Sequence, residues 1–421
     1  MAEPTARPAA DPRRRPANLM RERTHGRQRV TNIELFFDLV FVFAVTQLSH
    51  YLLNHRTLAG ALEAALLLAM VWLLWAYTTW LTNWVDPDRI PVRLLLLSLT
   101  LVSLTMSAAL PLAFTDSGLL VGVSYAVMQI GRSGFGAWAL RGHPLGANFE
   151  RILAWCCVSG THAVLGGLAP AVVPRALLWL GAVAVDLLGG TVGFYVPGRG
   201  RTRTTEWTIE GGHFAERCQG FILIAIGESI LVTGATLYDL LAHRLARPGP
   251  QHGPTVAAFL IAFVGSAALW WVYFDRTADD SARIIASSAD PGRLGRSAYH
   301  FIHPIMVAGI VVLAAADDLV LATPDAVGVP GIAWLVLGGT GLFIGGHLAF
   351  KFVVWRHLNR PRTAALVALG LLGFLTPYVS AIALSSCAAA VVVGVGAADY
   401  VERARRVGTT DGAAGDGAER A

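Results

Sequence analysis

The 421-residue chain is too apolar to fold as a water-soluble globule. It is 54% hydrophobic and 14% charged, whereas a typical soluble domain carries about 25% charged residues. So few charges cannot cover a globule of this size with polar surface, and lipid is the solvent we expect for most of the chain. The net charge of +5 comes from short segments between apolar runs, so we expect no nucleic-acid partner.

The chain begins with a polar segment rich in Arg and Pro, residues 1–31, which lacks the apolar core of a cleavable signal peptide. We predict a disordered basic cytoplasmic tail there. The first apolar run then begins at Ile33 and acts as an uncleaved anchor. A second polar segment, residues 401–421, is predicted to be a disordered cytoplasmic tail.

Twelve apolar runs lie between these tails, and a membrane-spanning helix needs about 20 such residues. The sequence therefore predicts an all-α, polytopic transmembrane helix bundle of about twelve spans. The predicted spans are residues 33–53, 61–81, 94–114, 119–140, 152–170, 176–196, 216–237, 255–274, 298–320, 331–350, 364–379 and 382–398. The last two are short, and an alternative joins them into one helix broken near Pro377, which gives eleven spans.

The distribution of basic residues predicts the orientation of the chain. Most of the 33 basic residues fall in the two tails and in alternate loops, whereas the other loops carry Arg56, Arg175, Arg244 and Arg247. By the positive-inside rule we expect both termini to be cytoplasmic. Of the basic residues only Lys351 is lysine, a bias that suggests a GC-rich bacterial genome, so we expect the membrane to be the inner membrane of a bacterium. Two termini on one side require an even number of spans, which favours twelve over eleven.

A weak internal repeat divides the twelve spans into two sixes. Glu34 opens the first span and Glu216 the seventh, and the second and eighth spans end in similar Trp-x-Tyr triplets. Six spans is an even number, so both halves point the same way. We predict a parallel duplication with repeats at residues 32–200 and 201–400.

Ionisable side chains inside the predicted spans need an explanation, because each costs about 2.5–3.5 kcal/mol near the bilayer centre. They could form an ion or proton pathway or a buried ion-pair network. The candidates are Glu34, Asp38, Arg132, Asp186, Glu216, Arg217 and Glu228. Asp317 and Asp318 are placed at an outer helix end, where solvation explains them.

Two of these candidates share a helix face. Glu34 and Asp38 are four residues apart, or about 6 Å along a helix axis. Two carboxylates at that distance repel, so we expect them to pair with Arg132, Arg217 or both. Glu228 lies about 18 Å deeper than Glu216 by helical rise, which suits a pathway better than a surface pair.

The sequence offers little for an enzyme. His162, His300 and His303 lie in predicted spans and are read as core groups, with acid–base chemistry or metal binding as the alternative. The four cysteines lack metal-ligand spacing, and no phosphate loop or zinc-helix motif occurs. We predict no catalytic residues, no metal and no cofactor. Glycine spacings such as Gly189…Gly193 and Gly341…Gly345 predict close helix contacts.

The first span opens with Val30-Thr31-Asn32-Ile33-Glu34-Leu35-Phe36-Phe37-Asp38-Leu39-Val40-Phe41-Val42. This stretch resembles the opening of the bacterial low-temperature-requirement A (LtrA) family. Two further stretches are similar to that family, His213-Phe214-Ala215-Glu216-Arg217 and Tyr299-His300-Phe301-Ile302-His303-Pro304. The resemblance covers about residues 30–400. It implies a polytopic bacterial membrane protein linked by name to growth in the cold, and it implies no particular activity.

The same first span is more faintly similar to the first helix of endolysosomal and bacterial potassium channels, which carry a Phe-Ser-Asp motif. Phe37 replaces the Ser here, Leu39 replaces a following Gly, and the seventh span has Cys218-Gln219-Gly220 at the matching place. These departures put a shared pore in doubt.

Three functions fit the sequence. The first is a transporter or a channel for a small ion or proton, with intramembrane carboxylates in its pathway. The alternatives are a membrane-embedded enzyme or accessory factor acting on lipids, and a non-catalytic membrane factor for growth at low temperature. The lipid bilayer is the expected partner, and the sequence leaves open whether the protein forms a homodimer.

Overall fold

The computed structural model describes residues 19–21, 30–202, 211–245, 252–275 and 277–418. Within these ranges the chain is helical and has no extended β-strand, only isolated bridges such as Met20 with Val85. The predicted all-α class is therefore confirmed. The predicted N-terminal tail, residues 1–31, lies mostly outside the described residues.

The helices follow one another with short connections. Their bounds are α1 Asn32–Asn54, α2 Leu58–Thr82, α3 Ile90–Ala109, α4 Gly118–Ala139, α5 Pro144–Leu168, α6 Val172–Val192, α7 Gly211–Leu245, α8 His252–Phe274, α9 Thr277–Ala286, α10 Pro291–Gly295, α11 His303–Ala322, α12 Pro330–Trp355, α13 Arg360–Leu372 and α14 Ala381–Ala418. A π-helical segment, Arg296–Ile302, joins α10 to α11.

In the described part of the chain, ten helices are long and apolar enough to cross a membrane. The two remaining predicted spans correspond to α4, which carries Arg132, and to α13, which has 13 residues. The turn after α13 pairs with the loop between α11 and α12, where the Ala381 amide donates to the Ala326 carbonyl at 2.8 Å. α13 and α14 are therefore separate helices, unlike in the eleven-span alternative.

The C-terminal helix is longer than predicted. α14 continues to Ala418, into the segment that was predicted as a disordered tail from residue 401. Good helix formers such as Glu402, Ala404 and Arg405 follow the apolar run and let the helix continue. An ion pair between Arg403 and Asp275 also ties this part of α14 to the end of α8.

The first and seventh helices, α1 and α7, pack side by side and run in the same direction. Arg217 contacts Glu34 near the start of both helices. Further along, Thr46 contacts Glu228, 182 residues away in sequence. A six-plus-six duplication needs this parallel arrangement, but any even number of spans would also produce it. The repeat therefore stays a prediction.

One end of the bundle gathers the starts of α1, α5 and α7 and the ends of α2 and α6, and we call it the arginine-rich end. There, the Met20–Val85 bridge joins the chain before α1 to the loop after α2. The Arg151 side chain at the start of α5 donates to the Arg199 carbonyl after α6 at 3.0 Å. This end corresponds to the loops predicted to be cytoplasmic.

The helices α11 and α12 approach each other closely at glycines that the sequence analysis does not name. A Cβ atom on Gly309 of α11 would lie 2.6 Å from the Phe343 nitrogen and 2.8 Å from the Gly339 oxygen of α12. A Cβ on Gly341 would meet nothing within 4 Å. The predicted close contact is therefore absent at Gly341, whereas a Cβ on Gly345 would lie 4.0 Å from Leu366 Cδ2 of α13.

Candidate functional site

The first buried charge cluster joins α1 to α7 and is called the Arg217 cluster. Arg217 Nε lies 2.8 Å from Asp38 Oδ2, and its Nη2 lies 2.5 Å from Asp38 Oδ1. Its Nη1 lies 3.0 Å from Glu34 Oε1. All three side chains are fully buried. The planar guanidinium forms a bidentate ion pair with the Asp38 carboxylate and also contacts the Glu34 carboxylate.

Neighbouring groups complete this cluster. Trp75 Nε1 of α2 donates to Asp38 Oδ1 at 2.6 Å. His213 Nε2 lies 3.0 Å from Glu34 Oε1, and Arg21 Nη1 lies 3.7 Å from the same atom. Two carboxylates thus face two guanidiniums, so the charges balance and three helices are held together.

The two carboxylates were expected to pair with Arg132, Arg217 or both, and the structure selects Arg217 alone. Arg217 pairs with both carboxylates, whereas Arg132 lies in a different cluster. Glu216, which opens the seventh predicted span as Glu34 opens the first, is exposed and lies outside the Arg217 cluster.

The second cluster surrounds Asp186 of α6. The Tyr125 hydroxyl donates a hydrogen bond to Asp186 Oδ2 at 2.5 Å. The Gln129 amide donates to the same oxygen and accepts from Arg132 Nη2, so it bridges the carboxylate and the guanidinium. The Arg132 guanidinium lies 4.9 Å from the centre of the Tyr77 ring. The sequence analysis missed Tyr125 and Gln129, although their spacing with Arg132 places all three on one face of α4.

Glu228 lies apart from both clusters. It is half-buried and accepts a hydrogen bond from the Thr46 hydroxyl of α1. The acidic candidates that are at least half-buried therefore lie in three separate places, and the exposed Glu216 lies in none of them. Two cavities in the bundle are described below, and neither is lined by Glu34, Asp38, Asp186 or Glu228.

A residue that the sequence analysis dismissed lines one of these cavities. Asp317 of α11 is only 8% exposed, so the expectation that it is solvated is wrong, because α7, α8, α12 and α14 cover this part of α11. This cavity, called here the Asp317 cavity, has an empty volume of about 510 Å³. Four hydroxyl residues also line it, Ser229, Ser266, Thr340 and Ser385.

The histidines do not come together. His303 Nε2 lies 3.2 Å from the Cys218 carbonyl, and its ring stacks on Trp72. His300 lies in the π-helical segment, while His162 is hydrogen-bonded to the Val158 carbonyl on α5. Among the described residues, no group of three or more His, Cys, Asp or Glu side chains could hold a metal ion.

A third arrangement lies at the arginine-rich end, where Arg132, Arg296 and His300 line an aromatic cavity of about 760 Å³. The π-helical segment carries two of these three side chains. π-helical segments are rare in proteins, and those that occur are often found at functional sites.

Comparison with known proteins places the chain in a family. Residues 29–397 match the family described as bacterial low temperature requirement A protein (LtrA). The chain belongs to the LtrA family. This LtrA-family chain is also 35% identical over 370 residues to an uncharacterized protein of Rhizobium meliloti (strain 1021), which covers 87% of this chain and 88% of that protein. No solved structure matches it. The family and the ten apolar helices together establish a multi-pass bacterial membrane protein.

Proposed function

We propose that this LtrA-family protein is a transporter or channel for a small cation, with the proton as the first ion to test. The observation that carries the proposal is the buried carboxyl group of Asp317, which lines a cavity together with four hydroxyl residues. Asp317 makes no hydrogen bond or ion pair with another residue in the described part of the chain, and its neighbour Asp318 adds a like charge. Ionisable residues inside a membrane bundle mark ion and proton pathways more often than structure.

The chemistry of the Asp317 cavity suits a cation. A buried carboxylate without a partner is costly, and a bound proton or cation would remove that cost. The hydroxyls of Ser229, Ser266 and Ser385 supply further oxygen atoms around the same space, and oxygen atoms are the ligands that hard cations prefer.

Glu228 does not line this cavity, but it lies beside the cavity wall on α7. It directly precedes Ser229, which lines the Asp317 cavity, and it contacts Thr46 on α1. Asp317 and Glu228 are therefore the two acidic groups that we assign to the pathway. The Arg217 cluster is fully paired, and we assign it a structural role instead.

Flux in liposomes tests the proposal. We expect wild-type protein to carry H⁺, Na⁺ or K⁺ down an imposed gradient, and both Asp317→Asn and Glu228→Gln to lower that flux. The matched control is Asp325→Asn, which removes an exposed carboxylate in the loop after α11. Background flux from folded wild-type protein for all three ions, or equal flux in Asp317→Asn and wild type, contradicts the proposal.

The two alternative functions make a different prediction for the same variants. If the protein is a non-catalytic membrane factor, Asp317→Asn and Glu228→Gln both restore cold growth to a deletion strain. If it acts on lipids, His300 is the better position to test, because it lines the other cavity.

A further inference from the structure

The aromatic cavity at the arginine-rich end is walled by both halves of the chain. Tyr77 and Trp80 come from α2, Phe149 and Ile152 from α5, and Phe194 follows α6. Three polar side chains interrupt this apolar wall, Arg132 from α4 and Arg296 and His300 from the π-helical segment. The cavity has an empty volume of about 760 Å³ and is partly open.

Each of these three polar side chains has a buried nitrogen atom with no hydrogen-bond partner among the described residues. The atoms are Arg132 Nη1, Arg296 Nε and His300 Nδ1. Arg132 is 1% exposed and His300 is 6% exposed. Buried donors without partners are rare in folded proteins, and each one calls for an explanation.

Neither arginine is neutralised by a direct ion pair with a carboxylate of the described chain. Arg296 donates instead to the Gly190 carbonyl. Arg132 reaches Asp186 only through Gln129, and the Asp186 carboxylate already accepts from both Tyr125 and Gln129. The cavity therefore presents two cations whose unsatisfied N–H groups lie within an apolar enclosure.

We propose that this cavity binds an anionic head group, a phosphate or carboxylate, that is carried on an apolar or aromatic body. Arginine forks recognise both anions through charge-assisted hydrogen bonds. The aromatic wall suits an apolar body, since ligand sites are mostly apolar with a few convergent polar groups. The ligand would be either an anionic lipid or a soluble aryl or alkyl anion. This site is separate from the Asp317 cavity and does not depend on cation transport.

Binding to the purified full-length protein in detergent tests the site. One arm uses short-chain phosphatidic acid with phosphatidylcholine of equal chain length as the neutral comparison. The other arm uses phenyl phosphate, a soluble aryl anion. We expect Arg132→Gln and Arg296→Gln each to weaken binding of the preferred anion by about tenfold or more, because a charge-assisted hydrogen bond is lost.

The matched control is Arg89→Gln, which removes an exposed arginine near the same end of the bundle and should leave affinity unchanged. Elution volume and thermal unfolding show which variants are folded, and Arg296→Gln serves if Arg132→Gln is not. Saturable binding of phosphatidic acid alone assigns a lipid ligand, and binding of phenyl phosphate alone assigns a soluble one. Absence of binding in both arms, or equal affinity in wild type and a folded arginine variant, overturns the proposal.

Discussion

Arg217 and Asp38 face each other as a two-pronged ion pair inside the helix bundle, although 179 residues separate them in sequence. The two contacts measure 2.8 Å and 2.5 Å, and both side chains are fully buried. Since Arg217 also reaches Glu34, one guanidinium contacts carboxylates on two successive turns of α1. The pair therefore fixes how α7 is placed along α1.

Removing Arg217 should strongly destabilise the protein. Arg217→Met leaves Asp38 without its main cation, and breaking a buried pair in this way costs about 3–5 kcal/mol. We expect thermal unfolding in detergent to begin at clearly lower temperature than in wild type. The control is Arg199→Met, which breaks an exposed pair with Glu150 and should cost less than about 1 kcal/mol.

A double variant separates loss of the pair from loss of packing. Arg217→Met with Asp38→Leu removes both charges, and it should be less destabilised than the sum of the two single variants. Strict additivity would show that the two side chains act independently and would contradict the assigned structural role.

The sequence predicts the apolar helices and the pairing of Glu34 and Asp38 with an arginine, because both depend on spacing along a single helix. It does not distinguish Arg217 from Arg132, since the two lie at similar inferred depth. Which of the two arginines meets the carboxylates depends on how α4 and α7 are rotated in the bundle. Hydropathy does not encode this rotation. Asp317 was misplaced for a related reason, because a position near a helix end indicates exposure only when no other helix covers it.

The glycine contact between α11 and α12 yields a second prediction. Gly309→Ala should destabilise the protein by about 1–3 kcal/mol, because the new methyl group would overlap the backbone of α12. Gly341→Ala is the matched control, because a Cβ there meets nothing within 4 Å. Thermal unfolding of the two variants beside wild type makes the comparison. Equal stability of the two variants would show that α11 and α12 accommodate the new methyl group without loss of stability, and it would contradict the prediction.

The orientation of the bundle can be tested by labelling single cysteines in intact bacterial cells. Arg56 lies in the loop between α1 and α2, and Asp88 lies in the loop between α2 and α3, and both are exposed. With the four native cysteines replaced, we expect a membrane-impermeant maleimide to label Arg56→Cys from outside. Asp88→Cys should be labelled only after the cells are permeabilised, because its loop belongs to the arginine-rich end, which the positive-inside rule places in the cytoplasm.

A second pair of positions extends this test to the other half of the chain. Asp325 and His357 are exposed in the loops before and after α12, so Asp325→Cys should be labelled from outside and His357→Cys only after permeabilisation. The reverse labelling pattern at all four positions would show that the protein has the opposite orientation with the same membrane-crossing helices. Labelling of Arg56→Cys and Asp88→Cys from the same side would instead contradict α2 as a membrane-crossing helix. Asp88 inside and Asp325 outside would require an odd number of crossings between these two positions. In the described part of the chain, six candidate spans lie between them besides α4, namely α3, α5, α6, α7, α8 and the span that ends with α11. The expected labelling would therefore make α4 the seventh crossing helix despite its buried Arg132.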